Sequence, residues 1–321
     1  MGSLPSSLRR SLPRLGMAAL LLAAASCSTG TGLSGAGPGA DASGTTTGPV
    51  TPAGGTSSPT GRPAPLSASI SQFRDNYGKQ VVEIQLTNTG SAAITAVAAT
   101  LHSPLFPAGA RWASPAGTEL PPGQVKSLSV RLPAAHCRPA PSGKAAGTAT
   151  VVVRLTSADG SPEASVRAAA EDPFGVLVRN HDELCLARAA AEVAAFRLGP
   201  GLERSPDGRT AVLRLVITPA RSGSGSFLVL NGVGGTTLLA EDPALPWPGP
   251  VRIVAGGPER VLRLGIRPAR CDPHAVAEDK VGTLLPLTIS AGGRDGVLKV
   301  AAGAALRGQI YDFVTSACRR Q

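Results

Sequence analysis

The residues with the clearest chemistry in this chain are its five cysteines, because their spacing decides which bonds they can form. Cys27 stands alone near the N-terminus, and the other four fall into two pairs that are 48 and 47 positions apart: Cys137 with Cys185, and Cys271 with Cys318. A structural zinc site needs ligands two to four residues apart, and no two of these cysteines are that close. The spacing therefore predicts two disulfides, which persist outside the reducing cytoplasm.

A short segment in the last quarter of the chain gathers histidine and carboxylate side chains. Asp272 can cap a short helix, and Pro273 suits the first helical position. That helix would place His274 and Glu278 four residues apart on one face, with Asp279 beside them, and this group could hold a metal or transfer a proton. The alternative is a capped helical turn with solvated side chains, which the absence of such a cluster in the first half of the chain favours.

Little else in the sequence could support catalysis. The chain has four histidines, no His-Glu-x-x-His motif, and no Gly-x-Ser-x-Gly elbow outside low-complexity sequence. Residues 231–236 lack the third glycine and the following helix of a phosphate-binding loop, so we expect a hairpin or a strand crossover there. We predict no catalytic residue, no cofactor and no enzymatic activity. The alternative is an envelope hydrolase or metal-dependent enzyme, which would need a polar cleft between the two halves that gathers His274, Glu278 or His181.

The first 26 residues follow the order of a secretion signal, with three arginines before a short apolar core and small residues before Cys27. The apolar core of about ten residues is too short to span a bilayer. This order resembles the lipobox of bacterial lipoprotein precursors, although Ala24 stands where leucine is commoner. The resemblance implies cleavage before Cys27, lipidation of its sulfur and a place on the outer face of the cell membrane. An ordinary cleaved signal is the alternative.

Residues 27–64 are almost entirely Gly, Ser, Thr, Ala and Pro. Such a segment buries too little apolar area to offset its chain entropy, so we predict a disordered tether. As a flexible coil it would span on the order of 33 Å. The tether would therefore hold the rest of the chain away from the membrane to which Cys27 is attached.

The net charge of the chain is positive. Cleavage of the leader would remove three arginines and no acidic residue, which lowers the formal charge from +10 to +7. A basic protein is attracted to anionic surfaces such as wall polymers or lipid headgroups. We do not expect nucleic acid as a partner outside the cell, and the arginines are spread thinly enough that they could serve solubility alone.

From residue 65 onward apolar and polar residues alternate, and Gly and Pro interrupt this alternation every 8 to 12 positions. Val82, Ile84 and Leu86, for example, alternate with polar side chains. This period is typical of short antiparallel strands in a sandwich. Because no long helical stripe is evident, the pattern predicts an all-β fold and disfavours an α/β fold.

The second half of the chain repeats the first. Residues 126–137 align without gaps with residues 260–271, and each segment ends at the first cysteine of its pair. Other matches recur in the same order, among them Trp112 with Trp247 and Gly175 with Gly308. The repeat predicts a tandem duplication.

The duplication in turn predicts two domains, residues 65–189 and 190–321. Each is long enough to bury its own core. The duplication also selects the pairings Cys137–Cys185 and Cys271–Cys318 among the three that four cysteines allow.

The two predicted domains resemble immunoglobulin-like sandwiches in strand count and loop spacing. This resemblance implies two tandem immunoglobulin-like antiparallel β-sandwiches with one disulfide each. The immunoglobulin pattern has a tryptophan between its cysteines, whereas Trp112 and Trp247 precede theirs. We therefore expect each disulfide to join different strands or a strand to a loop. Residues 270–283 are also similar to a segment of uncharacterised secreted proteins from actinobacteria, a likeness that implies no activity.

These features predict a non-enzymatic, lipid-anchored cell-envelope protein that binds a protein partner or an anionic wall polymer. A structural spacer is an alternative, whereas the missing strand–helix alternation disfavours a solute-binding subunit of a transporter. The equivalence of Trp112 and Trp247 favours a packing role over ligand contact.

Overall fold

A computed structural model describes residues 65–137, 148–156, 164–221 and 225–319 of the chain. These residues belong to one compact unit, Pro59–Gln321. The predicted signal peptide, the tether and the lipidation site Cys27 lie outside the described residues. Within the part that is described, no helix is both long enough and apolar enough to cross a membrane.

Seven strands build the first half: β1 (Leu66–Ser71), β2 (Val81–Asn88), β3 (Ile94–Ser103), β4 (Phe106–Leu120), β5 (Val125–Arg131), β6 (Ala149–Thr156) and β7 (Ala164–Glu171). They hydrogen bond in the order β4-β3-β6-β7-β1-β2-β5. Val82, Ile84 and Leu86 on β2 are fully buried, because alternate side chains of a strand face the same side.

Eight strands build the second half: β8 (Ala194–Arg204), β9 (Ala211–Pro219), β10 (Phe227–Val233), β11 (Leu239–Glu241), β12 (Val251–Val254), β13 (Arg260–Pro268), β14 (Leu284–Ala291) and β15 (Arg294–Ala301). They form two four-stranded sheets, β12-β10-β14-β15 and β11-β13-β9-β8. The glycine-containing segment 231–236 leaves β10 and leads to β11 in the other sheet. It is therefore a strand crossover.

The strand pairings of the two halves follow one scheme. The order β4-β3-β6-β7 in the first half corresponds to β12-β10-β14-β15 in the second, and β1-β2-β5 corresponds to β8-β9-β13. The halves differ in one pairing. In the first half β1 pairs in parallel with β7, which joins β4-β3-β6-β7 and β1-β2-β5 into one sheet, whereas the corresponding strands of the second half form two sheets. All other ladders within the described residues are antiparallel. The predicted all-β sandwich fold is confirmed.

Three α-helices lie in the described part of the chain: α1 (Val176–Ala191), α2 (Pro273–Ala277) and α3 (Ala304–Cys318). The expectation of no long helix was wrong for α1 and α3, which follow the last strand of their halves. Polar Asn180 and His181 occupy buried positions of α1, so they interrupt the apolar stripe that would have marked the helix. Asp172 starts this helix, since its carboxylate accepts hydrogen bonds from the amides of Val176 and Leu177 at 2.7 and 2.8 Å.

Two hydrophobic cores lie in the described residues, one in each half, and α1 contributes to both. Val176 and Leu177 pack into the first core, whereas Leu186 and Ala190 pack into the second. The domain boundary predicted between residues 189 and 190 therefore falls inside one continuous helix. The helix that ends the first sandwich is also a wall of the second.

Both predicted disulfides are formed, Cys137–Cys185 and Cys271–Cys318. The first joins the segment after β5 to α1, and the second joins the segment after β13, the counterpart of β5, to α3. The expected strand-to-strand or strand-to-loop bridge was therefore wrong, because the second cysteine of each pair lies in a helix that the sequence pattern did not reveal.

Candidate functional site

A cleft runs along the C-terminal half of α1, where the two sandwiches meet. One part has a volume of about 450 Å³ and is lined by the first disulfide together with His136, Arg188, Glu192 and Arg294. An adjoining part of about 480 Å³ shares Glu192 and Arg294 and extends to Phe227. We call the two parts together the α1 cleft.

The turn between β14 and β15 forms one wall of the α1 cleft. Gly292 and Gly293 have φ values of 56° and 72°, a left-handed conformation that glycine adopts without strain. A Cβ atom on Gly292 would lie 3.0 Å from the Cβ of Ala189, so glycine also lets the turn approach α1 closely. Arg294, which follows the turn, donates from Nη2 to the carbonyl oxygen of Cys137 at 2.8 Å. The first disulfide and the second sandwich are thereby tied together.

A second polar contact between the halves lies further along β15. Lys299 Nζ donates to Glu183 Oε1 at 2.6 Å, and it also lies 5.7 Å from the centre of the Tyr77 ring. The Lys299 and Glu183 side chains are 28% and 30% exposed, so solvent screens this pair only partly. These contacts hold α1 against β15.

The α1 cleft presents cations and an aromatic ring to solvent. Arg188 is 70% exposed and lies 3.8 Å from the carboxylate of Glu192, an exposed pair that contributes little stability. The guanidinium carbon of Arg252 stacks 3.3 Å from the centre of the Phe227 ring, and Phe227 is 43% exposed. Exposed arginines beside an aromatic face are suited to anionic or planar ligand groups.

His181 lies behind the first disulfide and is buried, with 2% of its surface exposed. Its Nε2 lies 3.1 Å from the carbonyl oxygen of His136 and 3.6 Å from Sγ of Cys185. Its Nδ1 lies 2.9 Å from the carboxylate of Asp182, and the ring meets Phe106 edge to face. Of the three residues proposed for an enzyme site between the halves, His181 alone lies beside the cleft, and it does not line the cleft.

The other two residues of that proposal lie on α2, which forms as the sequence predicts. Asp272 caps the helix by accepting from the amide of His274 at 2.9 Å, because an aspartate at this position satisfies a free helical N–H. His274 and Glu278 are exposed, and neither lines the α1 cleft.

Asp279 is partly buried and is held by three hydrogen-bond donors. Its carboxylate accepts from the Thr237 hydroxyl, from the Gly282 amide and from the Tyr311 hydroxyl at 2.9 Å. Burial, and then this hydrogen bond and the charge of Asp279, raise the pKa of Tyr311 to about 12. Asp279 therefore joins α3 to two loops, and sequence reasoning missed Thr237 and Tyr311 because both are distant in the chain.

The metal-site candidates His274, Glu278 and Asp279 are not brought together as a set of ligands. Among residues 65–137, 148–156, 164–221 and 225–319, no group of three or more His, Cys, Asp or Glu side chains is arranged to hold a metal ion. Asp279 instead satisfies the protein donors described above.

The two tryptophans pack against the cores of their own halves. Trp112 lies on β4 opposite Ala99, whereas Trp247 lies in the loop between β11 and β12. Trp247 donates from its ring nitrogen to the carbonyl oxygen of Gly265 at 2.7 Å. Neither ring lines the α1 cleft.

No protein-family model matches the chain, and no curated protein matches it. Among solved structures it is similar to the Amycolatopsis orientalis exo-chitosanase CsxA (16% identity over 74% of this chain and 26% of that one, TM-score 0.19). It is also similar to red sea bream transglutaminase (12% identity over 75% and 32%, TM-score 0.22). A third similarity is to the Acinetobacter baumannii CsuC–CsuE chaperone–tip adhesion subunit complex (9% identity over 70% and 92%, TM-score 0.20).

These structural neighbours are β-rich domains. The chain matches only 26% of the exo-chitosanase and 32% of the transglutaminase. The fold assignment rests on the sheets and disulfides of the chain itself.

Proposed function

We propose that this protein is a non-enzymatic, lipid-anchored component of the cell envelope that binds an anionic envelope polymer in the α1 cleft. The leader and Cys27 support an anchor on the outer face of the cell membrane, and the composition of residues 27–64 supports a tether. Two disulfides fit an oxidising compartment. The observation that carries the binding proposal is the α1 cleft itself.

The chemistry of the α1 cleft favours an anionic ligand. Arg188 and Arg294 line it together with the acidic Glu192 and Asp295. Arg252, which stacks on the Phe227 ring at the far end, is a third cation. The +7 charge of the processed chain would attract a polyanion over distances of about a Debye length, ~8 Å at physiological salt. A protein partner with an acidic surface is the second candidate.

Co-sedimentation of the purified full-length protein with purified cell walls, at low and at high salt, tests this proposal. We expect binding at low salt that high salt abolishes, because exposed charge pairs are screened. The cleft variant Arg188→Gln/Arg294→Gln should bind several-fold more weakly than the wild type.

The matched control is Arg111→Gln/Arg260→Gln, which removes the same charge from exposed positions on β4 and β13. Equal losses in both double variants would show that charge spread over the surface, and not the cleft, accounts for the binding. An absence of binding at either salt concentration would reject the polymer and leave an acidic protein as the ligand to test.

A further inference from the structure

The two cysteines of the first disulfide differ in their exposure to solvent. Cys137 is half-buried and Cys185 is 1% exposed, and both residues line the α1 cleft. A nucleophile that enters the cleft therefore meets Cys137 first. The sulfur of Cys185 would then be the leaving group, deeper in the protein.

The surroundings of Cys185 suit a leaving thiolate. His181 Nε2 faces both Sγ of Cys185 and the carbonyl oxygen of His136, and since the carbonyl can only accept, this nitrogen carries a proton. Its Nδ1 faces the carboxylate of Asp182 at 2.9 Å, which orients the ring. A neighbouring N–H donor stabilises a thiolate and makes it a better leaving group.

We propose that Cys137–Cys185 is a thiol–disulfide exchange site that an anionic low-molecular-weight thiol opens from the α1 cleft. The thiolate of this molecule attacks Sγ of Cys137 and forms a mixed disulfide. The Cys137–Cys185 bond breaks, its electron pair stays on Sγ of Cys185, and the N–H of His181 hydrogen bonds to the new thiolate. The reverse attack by Cys185 on the mixed disulfide releases the thiol.

The cleft also determines the class of thiol. A volume of about 450 Å³ beside the disulfide lies in the range that holds small molecules. Two arginines, Arg188 and Arg294, line this part with one acidic residue, Glu192, which pairs with Arg188 at 3.8 Å. The surplus cation favours a thiol with carboxylate groups over an uncharged one.

The second disulfide, Cys271–Cys318, is an internal control with different surroundings. Its cavity of about 520 Å³ is lined by the apolar residues Pro273, Val276, Ala277 and Val314 and also by Thr315 and Arg319. Val314 precedes Cys318 by four positions, as His181 precedes Cys185. An apolar side chain at that position offers no hydrogen bond to a thiolate. Cys271 is nevertheless exposed, so access alone predicts that this second bond opens first.

Opening of each disulfide in the folded protein by glutathione, followed by alkylation and peptide mass spectrometry, distinguishes these expectations. We expect Cys137–Cys185 to open at least about tenfold faster than Cys271–Cys318. Equal rates, or faster opening of the exposed second disulfide, would overturn the proposal, and this comparison needs no variant.

Two variants then test the role of His181. His181→Gln keeps a donor toward the His136 carbonyl but removes the imidazole, and it should slow opening of the first disulfide about tenfold without changing the second. Asp182→Asn alters an exposed side chain whose carboxylate faces Nδ1 and orients the ring, and it should act in the same direction. Unchanged rates in a folded Asp182→Asn protein, together with unchanged rates in His181→Gln, would remove His181 from the exchange.

The preference for an anionic thiol is tested with β-mercaptoethanol, which is uncharged. Per unit of thiolate, glutathione should open the first disulfide several-fold faster than β-mercaptoethanol, and Arg188→Gln should reduce this ratio. An equal rate for both thiols would contradict the proposed substrate class.

Discussion

The two sandwiches share a strand scheme and a disulfide position, yet the second cysteines lie in different chemical surroundings. Cys185 lies within α1, one turn after the buried His181, and next to a cleft lined by arginines. Cys318 is the last residue of α3, one turn after the buried Val314, and next to a cavity lined by four apolar residues together with Thr315 and Arg319. The comparison shows that one covalent framework accommodates either a polar or an apolar neighbour, because the disulfide itself needs only the approach of two backbones.

The two helices also differ in what they support. α1 lies inside the chain and contributes to both cores, whereas α3 ends the described residues and packs into the second core alone. Even matched glycines differ, since Gly175 precedes the first turn of α1 and Gly308 lies within α3. A helix shared by two cores should couple their unfolding, and a helix that serves one core should not.

Removal of each disulfide should give the largest effects and should distinguish the two helices. Replacing both cysteines of either pair with serine is expected to cost roughly 4 kcal/mol, because each bond closes a loop of similar length. Loss of Cys137–Cys185 should destabilise both halves, and loss of Cys271–Cys318 mainly the second.

Urea unfolding followed by tryptophan fluorescence measures this difference, since each half has one tryptophan. Trp247→Phe leaves Trp112 to report the first half, and Trp112→Phe leaves Trp247 to report the second. Identical shifts of both reporters in both disulfide variants would contradict the distinction between α1 and α3.

Core truncations in the helices sharpen the same comparison with a smaller expected loss. Leu177→Ala and Leu186→Ala on α1 should each cost about 3 kcal/mol, and so should Leu306→Ala on α3, since all three side chains are buried. The two α1 variants should lower the unfolding midpoint of both tryptophan reporters. Leu306→Ala should lower only the unfolding midpoint that Trp247 reports. An equal decrease in the midpoint that Trp112 reports would show that the two halves unfold together for a reason other than the shared helix α1.

An aspartate carboxylate accepts hydrogen bonds from each long helix, Asp172 from α1 and Asp279 from α3, so their contributions to stability can be compared. Asp172→Ala removes the acceptor of the Val176 and Leu177 amides at the start of α1, and we expect a cost of about 1 kcal/mol, as for the loss of a cap. Asp279→Ala leaves the donors of exposed Thr237, buried Gly282 and half-buried Tyr311 without their acceptor, and we expect a cost of about 2 kcal/mol. Chemical denaturation of both variants measures the difference, and an Asp279→Ala protein as stable as wild type would show that these hydrogen bonds do not hold α3.

The smallest predicted effect appears at alkaline pH and concerns α3 only. The pKa of Tyr311 is about 12 in the folded protein, above its ordinary value of 10.0. The folded state therefore keeps a proton that the unfolded state has lost, so the stabilisation is complete below pH 10 and decreases between pH 10 and 12. Tyr311→Phe should weaken this decrease, measured as unfolding free energy against pH, while the control Tyr77→Phe should leave it unchanged.

Much of the fold follows from short-range patterns in the sequence. The alternation of Val82, Ile84 and Leu86 predicts a half-buried strand, and these residues face the first core. Asp272 and Pro273 predict the start of α2 because capping depends on neighbours two positions away. The repeat predicts both disulfide pairings because it relates positions one whole sandwich apart.

The candidate site could not be predicted in this way. His181 and Asn180 are polar, and nothing in the sequence pattern marks them as core residues, yet they are buried in α1. Glu83 likewise occupies an outward-facing position of β2, but it is 1% exposed because Asn76 and Ser129 cover and hydrogen bond to it. A sequence pattern indicates which face of its own element a residue occupies, but it does not indicate which residues of another element cover that face.

The sequence by itself determined the strand-rich class, the duplication, the two disulfide pairings and the cap of α2, since each depends on local periodicity or on comparing one half of the chain with the other. Only the tertiary structure decided that α1 is shared by two cores, that His181 lies against one disulfide and not the other, and that a cleft opens beside Arg188 and Arg294. These features arise where surfaces distant in the chain meet, and the packing between such surfaces depends on three-dimensional shape, which periodicity does not encode.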